Sequence, residues 1–510
     1  MSCLSERLLS KSQSKLHMKT PVLLFAVVCC TYAWGQVVPA SSSYNADIAW
    51  EAVFTDGPAG KVNRGCTDVN GDVALVFMPE GMARIHKIDG NSGALLWSQT
   101  FEDKVGFGIC EIAGEGGADF IVTGGAGDTQ ERWMARLNGQ TGEVIWDRNY
   151  PYPGNSQQFD GVRMAIVGED GQIYGAGFVN GDEPNTIFVV YGGQSTLLKV
   201  NPETGDEIWS IIHDASEYAL AIVQGEGGDL YAGGVMYEEG VSVSKFDTEG
   251  ALLWHEVIPD TETEIPSDLT ADGDGQLYYG CHNGREGAGD PFDYTCIALT
   301  PEADVLWKYH YANPRGYSLE HIRNELYGIQ TNGDHVFLFG GSGDESSYSA
   351  SDPLFPASDV WVGWVLSVTQ DGEIANSWVY SHDGVNTATE YGVLIESGFV
   401  LFNDTDAGGD TEVGVMKIQP TATQVSSYDE TDRRVGLSPN PASSAVRISI
   451  EGHLRNSAYR ITDMQGRVVI EGVLLDTLTT LVTDQLTNGE YILSIFGAET
   501  VITKPLLIQK

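Results

Sequence analysis

The chain has 510 residues, with 28 Lys and Arg against 71 Asp and Glu for a formal net charge of −43, and it is 42% hydrophobic and 10% aromatic. Apolar and aromatic content at that level excludes a disordered chain, and so large a negative charge repels phosphate backbones and anionic lipid, so nucleic acid is not an expected partner. The 61 glycines against 19 prolines, with no collagen period, suit many tight turns between short strands.

In chain order, Lys15, His17 and Lys19 precede an apolar run at 21–28, and Ala33-Trp34-Gly35 places small residues at the two cleavage positions. Residues 1–35 therefore read as a signal peptide, with Met18 as an alternative start. The run is too short to span a bilayer, so no transmembrane segment is expected after cleavage. Cys3, Cys29 and Cys30 leave with the leader, and Cys66, Cys110, Cys281 and Cys296 remain. An even number in an exported chain suggests disulfides. Cys281 with Cys296, flanking one hairpin loop, and Cys66 with Cys110, at similar positions in successive repeats, are the expected pairs; free buried thiols are the alternative.

Two submotifs alternate from about residue 46 to 420. The first is a Gly- or Asp-led strand, seen at 72–77, 119–124, 172–177, 229–234, 276–280, 335–340 and 399–402. The second is a turn and strand ending in Trp, as in Asp89-Gly-Asn-Ser-Gly93 before Trp97. It recurs before Trp146, Trp209, Trp254, Trp307 and Trp378, with Ala303 replacing Gly in the fifth copy. A period near 45 residues holding four short strands is what a propeller blade requires. One such sheet cannot bury both faces, so blades stack around an axis, and a large Trp at a fixed place fills the gap between neighbours. The seventh inner strand lacks a following Trp strand, while an orphan one, 48–54, lies before the first blade. Supplying the last blade from the N-terminus leaves no unpaired edge there. The expected fold is an all-β, seven-bladed propeller over 36–420, with six and eight blades left open.

The run Lys199-Val-Asn-Pro-Glu-Thr-Gly-Asp-Glu-Ile-Trp209 resembles the tryptophan-docking repeat of quinoprotein-type (PQQ-like) propellers, and the likeness covers nearly all of 46–420. Quinoprotein dehydrogenases of that type have eight repeats and often a vicinal cysteine pair by the cofactor. The adjacent pair here, Cys29-Cys30, lies in the leader, so bound PQQ is not expected.

Residues 421–436 are polar and read as a linker. Residues 437–510 show alternating strands and turns at the spacing of a small Ig-like β-sandwich of about seven strands. The Pro439-Asn440-Pro441 entry, the turn from Asp463 to Gly466, the segment from Leu486 through Gly489 to Tyr491, and the basic end from Lys504 to Lys510 follow in order. This pattern resembles the type A C-terminal sorting domain of the type IX secretion system of Bacteroidota. The resemblance implies the type IX machinery as a partner and passage through the outer membrane. The domain is usually removed, and the cargo is released or attached to surface polysaccharide.

For chemistry, Asp68, Asn70 and Asp72, and likewise Asp272 and Asp274, place oxygens at alternate positions around a Gly, as Ca²⁺ loops do. Both stretches also lie just before an inner strand, where Asp and Gly serve turning. No His-Glu-x-x-His, paired Cys-x-x-Cys, Gly-x-Ser-x-Gly or P-loop occurs. Second-to-third-strand loops and blade-to-blade connections share one rim, and the long insertions (180–194, 282–294, 341–360 and 404–412) fall there. Tyr150, Tyr152, Phe159, Tyr311, Arg315, Tyr317 and His382 belong to that face, where aromatics beside Asp suit a sugar or a protein surface; blade-edge cover is the alternative. The expected function is a secreted or cell-surface non-enzymatic propeller binding glycan or protein. The alternative is a secreted carbohydrate-active enzyme, a lyase or glycoside hydrolase, with carboxylates on the rim.

Overall fold

The structure is a computed structural model that describes residues from 37 to 510 outside 420–434 and a set of connections, the longest being 153–158, 182–192, 284–292, 313–322 and 344–360. The leader and nearly all of the expected linker lie outside the described residues.

The apolar pattern of each repeat builds a four-stranded antiparallel sheet. In the first sheet the strands are Val62–Thr67, Val73–Phe77, Ala83–Ile88 and Leu95–Phe101. The second strand is buried at every position, and its sequence is accordingly a continuous apolar run, because both faces are covered by neighbouring sheets. Further sheets of the same order occupy 104–150, 159–213, 218–257, 264–312 and 323–380. The seventh combines Thr387–Ile395, Gly398–Thr405 and Glu412–Ile418 with Ile48–Phe54. The first strands of successive sheets lie against one another, and Thr387–Ile395 lies against Val62–Thr67, so the ring closes. Ile48–Phe54 pairs antiparallel with Glu412–Ile418, supplying the last sheet from the N-terminus as the orphan Trp strand suggested. Upstream, Val37–Pro39 and Ser43–Tyr44 add in parallel to the outer strands of the fifth and sixth sheets.

Each of the seven first strands carries a register shift at an equivalent place, at 62/64, 106/108, 162/164, 219/221, 266/268, 326/328 and 389/391. An extra residue on one strand bends it and re-aims its side chains, so a ring of bulges surrounds the central axis.

The Trp motif works at the seams. Trp50, Trp97 and Trp146 donate Nε1–H to the carbonyls of Gly90, Gly139 and Pro202 in the next sheet's turn, at 3.1, 3.1 and 2.9 Å. A cation from the same sheet as each Trp donates to the same carbonyl: Lys417 at 2.6 Å, Lys87 at 3.0 Å and Arg136 at 2.9 Å. Each ring lies on a turn glycine at positive φ, where a Cβ would approach Trp50, Trp97 or Trp146 within 2.8, 2.8 and 2.6 Å of Gly93, Gly142 and Gly205. Only glycine meets both requirements at these positions.

The expected disulfides are corrected. All four thiols are free. Cys281 pairs across the hairpin with Thr295 and Cys296 with Gly280; that one-residue offset places the two side chains on opposite faces of the sheet. Cys281 packs in one core cluster and Cys296 in the next. Cys66 packs between the first and second sheets, whereas Cys110 packs between the second and third. Burial raises all four thiols, Cys110 to about 12, so thiolate chemistry is suppressed.

The C-terminal strands Val435–Ser438, Ala445–Ile450 and Leu478–Val482 form one sheet. Val468–Val473, Ala458–Asp463, Gly489–Phe496 and Val501–Ile508 form another, in that spatial order. A shared core of Val446, Ile448, Ile461, Leu493, Ile495 and Ile508 joins them as a sandwich.

Candidate functional site

The two acidic loops do not form Ca²⁺ cages. Lys87 Nζ sits 2.9 Å from Asp68 Oδ2 and 3.2 Å from Asp72 Oδ2, where a cation would sit. Asp68 Oδ1 accepts the backbone N–H groups of Asn70 and Asp72, and Asp72 Oδ1 accepts that of Gly90. An ammonium ion therefore satisfies this loop. Asp119 with Arg136, Asp170 with Lys199 and Asp229 with Lys245 repeat the pairing in the next three sheets. Asp272 Oδ1 accepts the N–H groups of Asp274 and Gln276, which makes it a turn cap. Among the described residues no group of three His, Cys, Asp or Glu side chains has metal-holding geometry.

The expected rim residues separate. Tyr150 and Tyr311 are buried in the seams and donate their hydroxyls to the carbonyls of Gly205 and Gly372, at 2.8 and 2.7 Å. His382 bridges Glu51 Oε2 at 3.0 Å and Thr387 Oγ1 at 2.8 Å. Tyr152 and Phe159 are half-buried, and Arg315 and Tyr317 lie outside the described residues.

Beside Phe159 stands Asp160, whose carboxyl burial pushes up to about 6, against the opposing pull of the Asn180 N–H that it accepts at 2.8 Å. Arg132 and Glu131 face it from the second sheet, the former lowering its pKa and the latter raising it. Arg132 itself is buried and fixed by Tyr150 O at 3.0 Å and Thr196 Oγ1 at 2.9 Å. The strands Phe159–Val167 and Ile173–Gly181 place this group on the long-connection rim.

The central channel holds polar residues of the bulged strands. Arg64 of the first sheet reaches Asp268 of the fifth at 3.1 Å, and these sheets are not neighbours, so the pair spans the axis. Arg64 also donates to Tyr391 Oη at 3.2 Å and lies over its ring, while Asp268 Oδ2 accepts the Ile329 N–H. Arg163 lies over Phe107; burial and the neighbouring Arg64 lower it to about 10, while Tyr218 opposes the shift. The available sequence signal was charge in strands that are otherwise buried, as in Val62–Thr67, Phe159–Val167 and Glu264–Ala271. The partners lie too far apart in the chain for spacing to connect them.

In the C-terminal sandwich, the Pro-Asn-Pro entry has a structural task. Asn440 Oδ1 accepts the Leu507 N–H at 2.8 Å, and Ala442 exchanges backbone hydrogen bonds with Leu507 and Gln509. Tyr491 is buried with its hydroxyl on Thr487, and Lys504 is buried in the last strand. Gly489 opens the strand paired with that last strand, and Gly466 lies outside the described residues. The sorting signature thus pins the C-terminal strand.

Residues 81–322 match the family model described as outer membrane protein assembly factor BamB, and residues 437–509 match that of the secretion system C-terminal sorting domain. No curated protein matches the chain. Similar solved structures include a quinohemoprotein alcohol dehydrogenase from Pseudomonas putida HK5, at 13% identity over 76% of this chain and 79% of that one with a TM-score of 0.42. The Dos1 propeller is 12% identical over 73% and 95%, with a TM-score of 0.41. A luciferin-regenerating enzyme is 14% identical over 64% and 96%, with a TM-score of 0.39. No described helix is long and apolar enough to cross a membrane. Residues 81–322 are thus PQQ-like propeller repeats and residues 437–509 a type IX sorting domain, which marks the protein for secretion or display at the outer cell surface.

Proposed function

We propose that the protein is a non-enzymatic binding propeller, exported by the type IX machinery, that engages a glycan or protein through the rim carrying its long connections. The observation supporting this reading is the state of the channel. Arg64, Asp268 and Tyr391 satisfy one another across the axis, so these groups are engaged before any ligand arrives, which supports recognition on an outer face rather than in the channel. Tyr152 and Phe159 supply half-buried aromatic surface there, of the kind that stacks on sugars or anchors protein contacts.

The second reading, a carbohydrate-active enzyme, is favoured by Asp160, whose elevated pKa suits a general acid. Hydrolysis also needs a second carboxyl about 5–10 Å across the sugar, and Glu131 is the nearby candidate. A glycan and protein binding screen of the full chain, run beside polysaccharide turnover assays, separates the two. Retained ligand that is lost on Tyr152→Ala/Phe159→Ala is the expected result. Polysaccharide turnover abolished by Asp160→Asn overturns the binding reading.

A further inference from the structure

The C-terminal sandwich has four edge strands, and three of them carry the devices that keep a strand edge from pairing. Val435–Ser438 is short, contains Gly436 and runs into Pro439. Val468–Val473 contains Glu471 and Gly472. Val501–Ile508 contains Lys504 and Pro505 and meets Ala442 beside it. The fourth, Leu478–Val482, reads Leu-Thr-Thr-Leu-Val, with no charge, proline, glycine or bulge. It pairs with Ala445–Ile450 alone, so among the described residues its second edge is open.

Two of its three outward side chains are apolar, with Thr480 between them. Leu478 is 58% and Val482 60% exposed, and the preceding residues add Leu475 at 68% and Val473 at 50%. Single exposed aliphatics are ordinary, whereas four within ten residues beside an open edge are not. Charge sets this region apart too. Residues 36–436 hold 18 Lys and Arg against 63 Asp and Glu, whereas residues 437–510 hold 6 against 7. The sandwich is therefore close to neutral, on a chain whose remainder repels anionic surfaces, and the one carboxylate within 473–482, Asp476, is paired with Arg455.

We propose that the open edge of Leu478–Val482 is the surface by which the export machinery holds this protein. The partner segment is an extended strand of the machinery that adds to the edge through main-chain hydrogen bonds, with aliphatic side chains meeting Leu475, Leu478 and Val482. The type IX machinery is the occupant because the sandwich is the part of the chain addressed to it.

The test uses the full chain in the bacterium that exports it. Thr480→Lys places one charge in the middle of the edge and leaves both aliphatic anchors, Leu478→Lys/Val482→Lys removes the anchors, and Gln485→Lys is the charge control on an exposed neighbouring position. Both edge variants are expected to lower the extracellular protein by about tenfold or more and to accumulate behind the outer membrane uncut, with the control exported normally. Melting of the retained proteins is expected to stay within about 2 °C of the parent, because the changed side chains are exposed. Export of Thr480→Lys at parental levels overturns the proposal, as does an export defect that tracks lost melting temperature across all three variants. Sedimentation of the purified full chain supplies the last arm: a dimer abolished by Thr480→Lys, with export intact, assigns the edge to a second copy and overturns it as well.

Discussion

Two arcs of the ring solve the same seam problem differently. The turns of the first three sheets span five residues, with Gly93, Gly142 and Gly205 donating back to Asp89, Asn138 and Asn201. Each such turn receives a Trp Nε1–H and a cation on one carbonyl. The next three turns are one residue tighter, with Gly250, Ala303 and Gly372 donating to Asp247, Thr300 and Thr369. Here the docking is incomplete. Lys199 reaches Thr248 O at 3.2 Å, but Trp209 Nε1 is buried without a partner among the described residues. Trp307 finds Gln370 O at 2.7 Å, yet the equivalent cation position of its sheet is Ala298. The fifth and sixth sheets instead receive additional strands from Val37–Pro39 and Ser43–Tyr44. Added backbone pairing thus ties down the outer edges at the seam of the fifth and sixth sheets, whereas the seam of the third and fourth sheets has no such addition among the described residues.

The largest expected effect tests whether the complete seams carry more stability. Trp146→Ala removes a buried ring and its 2.9 Å bond to Pro202 O, and a loss of about 4 kcal/mol is expected by chemical denaturation. Trp209→Ala should cost about 2 kcal/mol, because its half-buried ring brings an unsatisfied N–H that disappears with it. Equal losses at the two seams would break the comparison. Next in size is Gly205→Ala, which forces a Cβ within 2.6 Å of Trp146 at φ 72°. Its expected cost is about 2–3 kcal/mol, read as a lower denaturation midpoint at unchanged slope.

Much of this ring was legible because the motif is local. Gly and Trp lie within one turn and strand, so spacing alone predicts the seam, and the missing seventh Trp strand points to Ile48–Phe54. What failed was face parity and distance. Cys281 and Cys296 flank one loop, but the register that sends their side chains apart is set by pairing rather than by sequence separation. The Asp68 loop resembles a cation site because Lys87, the cation that fills it, comes from the third strand. Arg64 and Asp268 meet across the axis from sheets that no repeat period relates. The candidate site was legible only as a rim: Tyr152 and Phe159 remain on it, whereas Tyr150 and Tyr311 serve the seams.

Acid should find the seam between the third and fourth sheets. His213 packs against Phe246, with neither ring nitrogen bonded among the described residues. Burial lowers it to about 4, helped by the neighbouring His255 and opposed by Asp214. The unfolded chain takes up this proton near pH 6.5 and the folded one only near 4. Stability present above pH 6.5 is therefore lost as pH falls through that window, by about 2 kcal/mol once partial exposure is discounted. Carboxylates titrate in the same range, so the readout is the difference in melting between the parent and His213→Phe from pH 7 to 4.5. Parallel curves would remove His213 as the cause.

The smallest expected effect is the most discriminating, because it asks whether the weaker arc is strained or adapted. Ala303 holds φ 66°, a conformation glycine occupies at the equivalent place in the other five Trp-motif turns. Relieving an L-residue there is worth about 1–2 kcal/mol. Against this, Ala303→Gly costs about 0.5–1 kcal/mol in unfolded-chain entropy and most of a buried methyl, about 0.8 kcal/mol. Ala303 is 8% exposed and belongs to the core cluster against which Trp254 packs, so the methyl contributes to that seam. The sum lies within about 0.8 kcal/mol of zero, against the 2–3 kcal/mol expected for glycine-to-alanine at position 205. A melting temperature unchanged by Ala303→Gly means that this seam has settled around the methyl. A gain above about 1.5 kcal/mol means that the tight turn stores strain, and that this seam holds despite its turn.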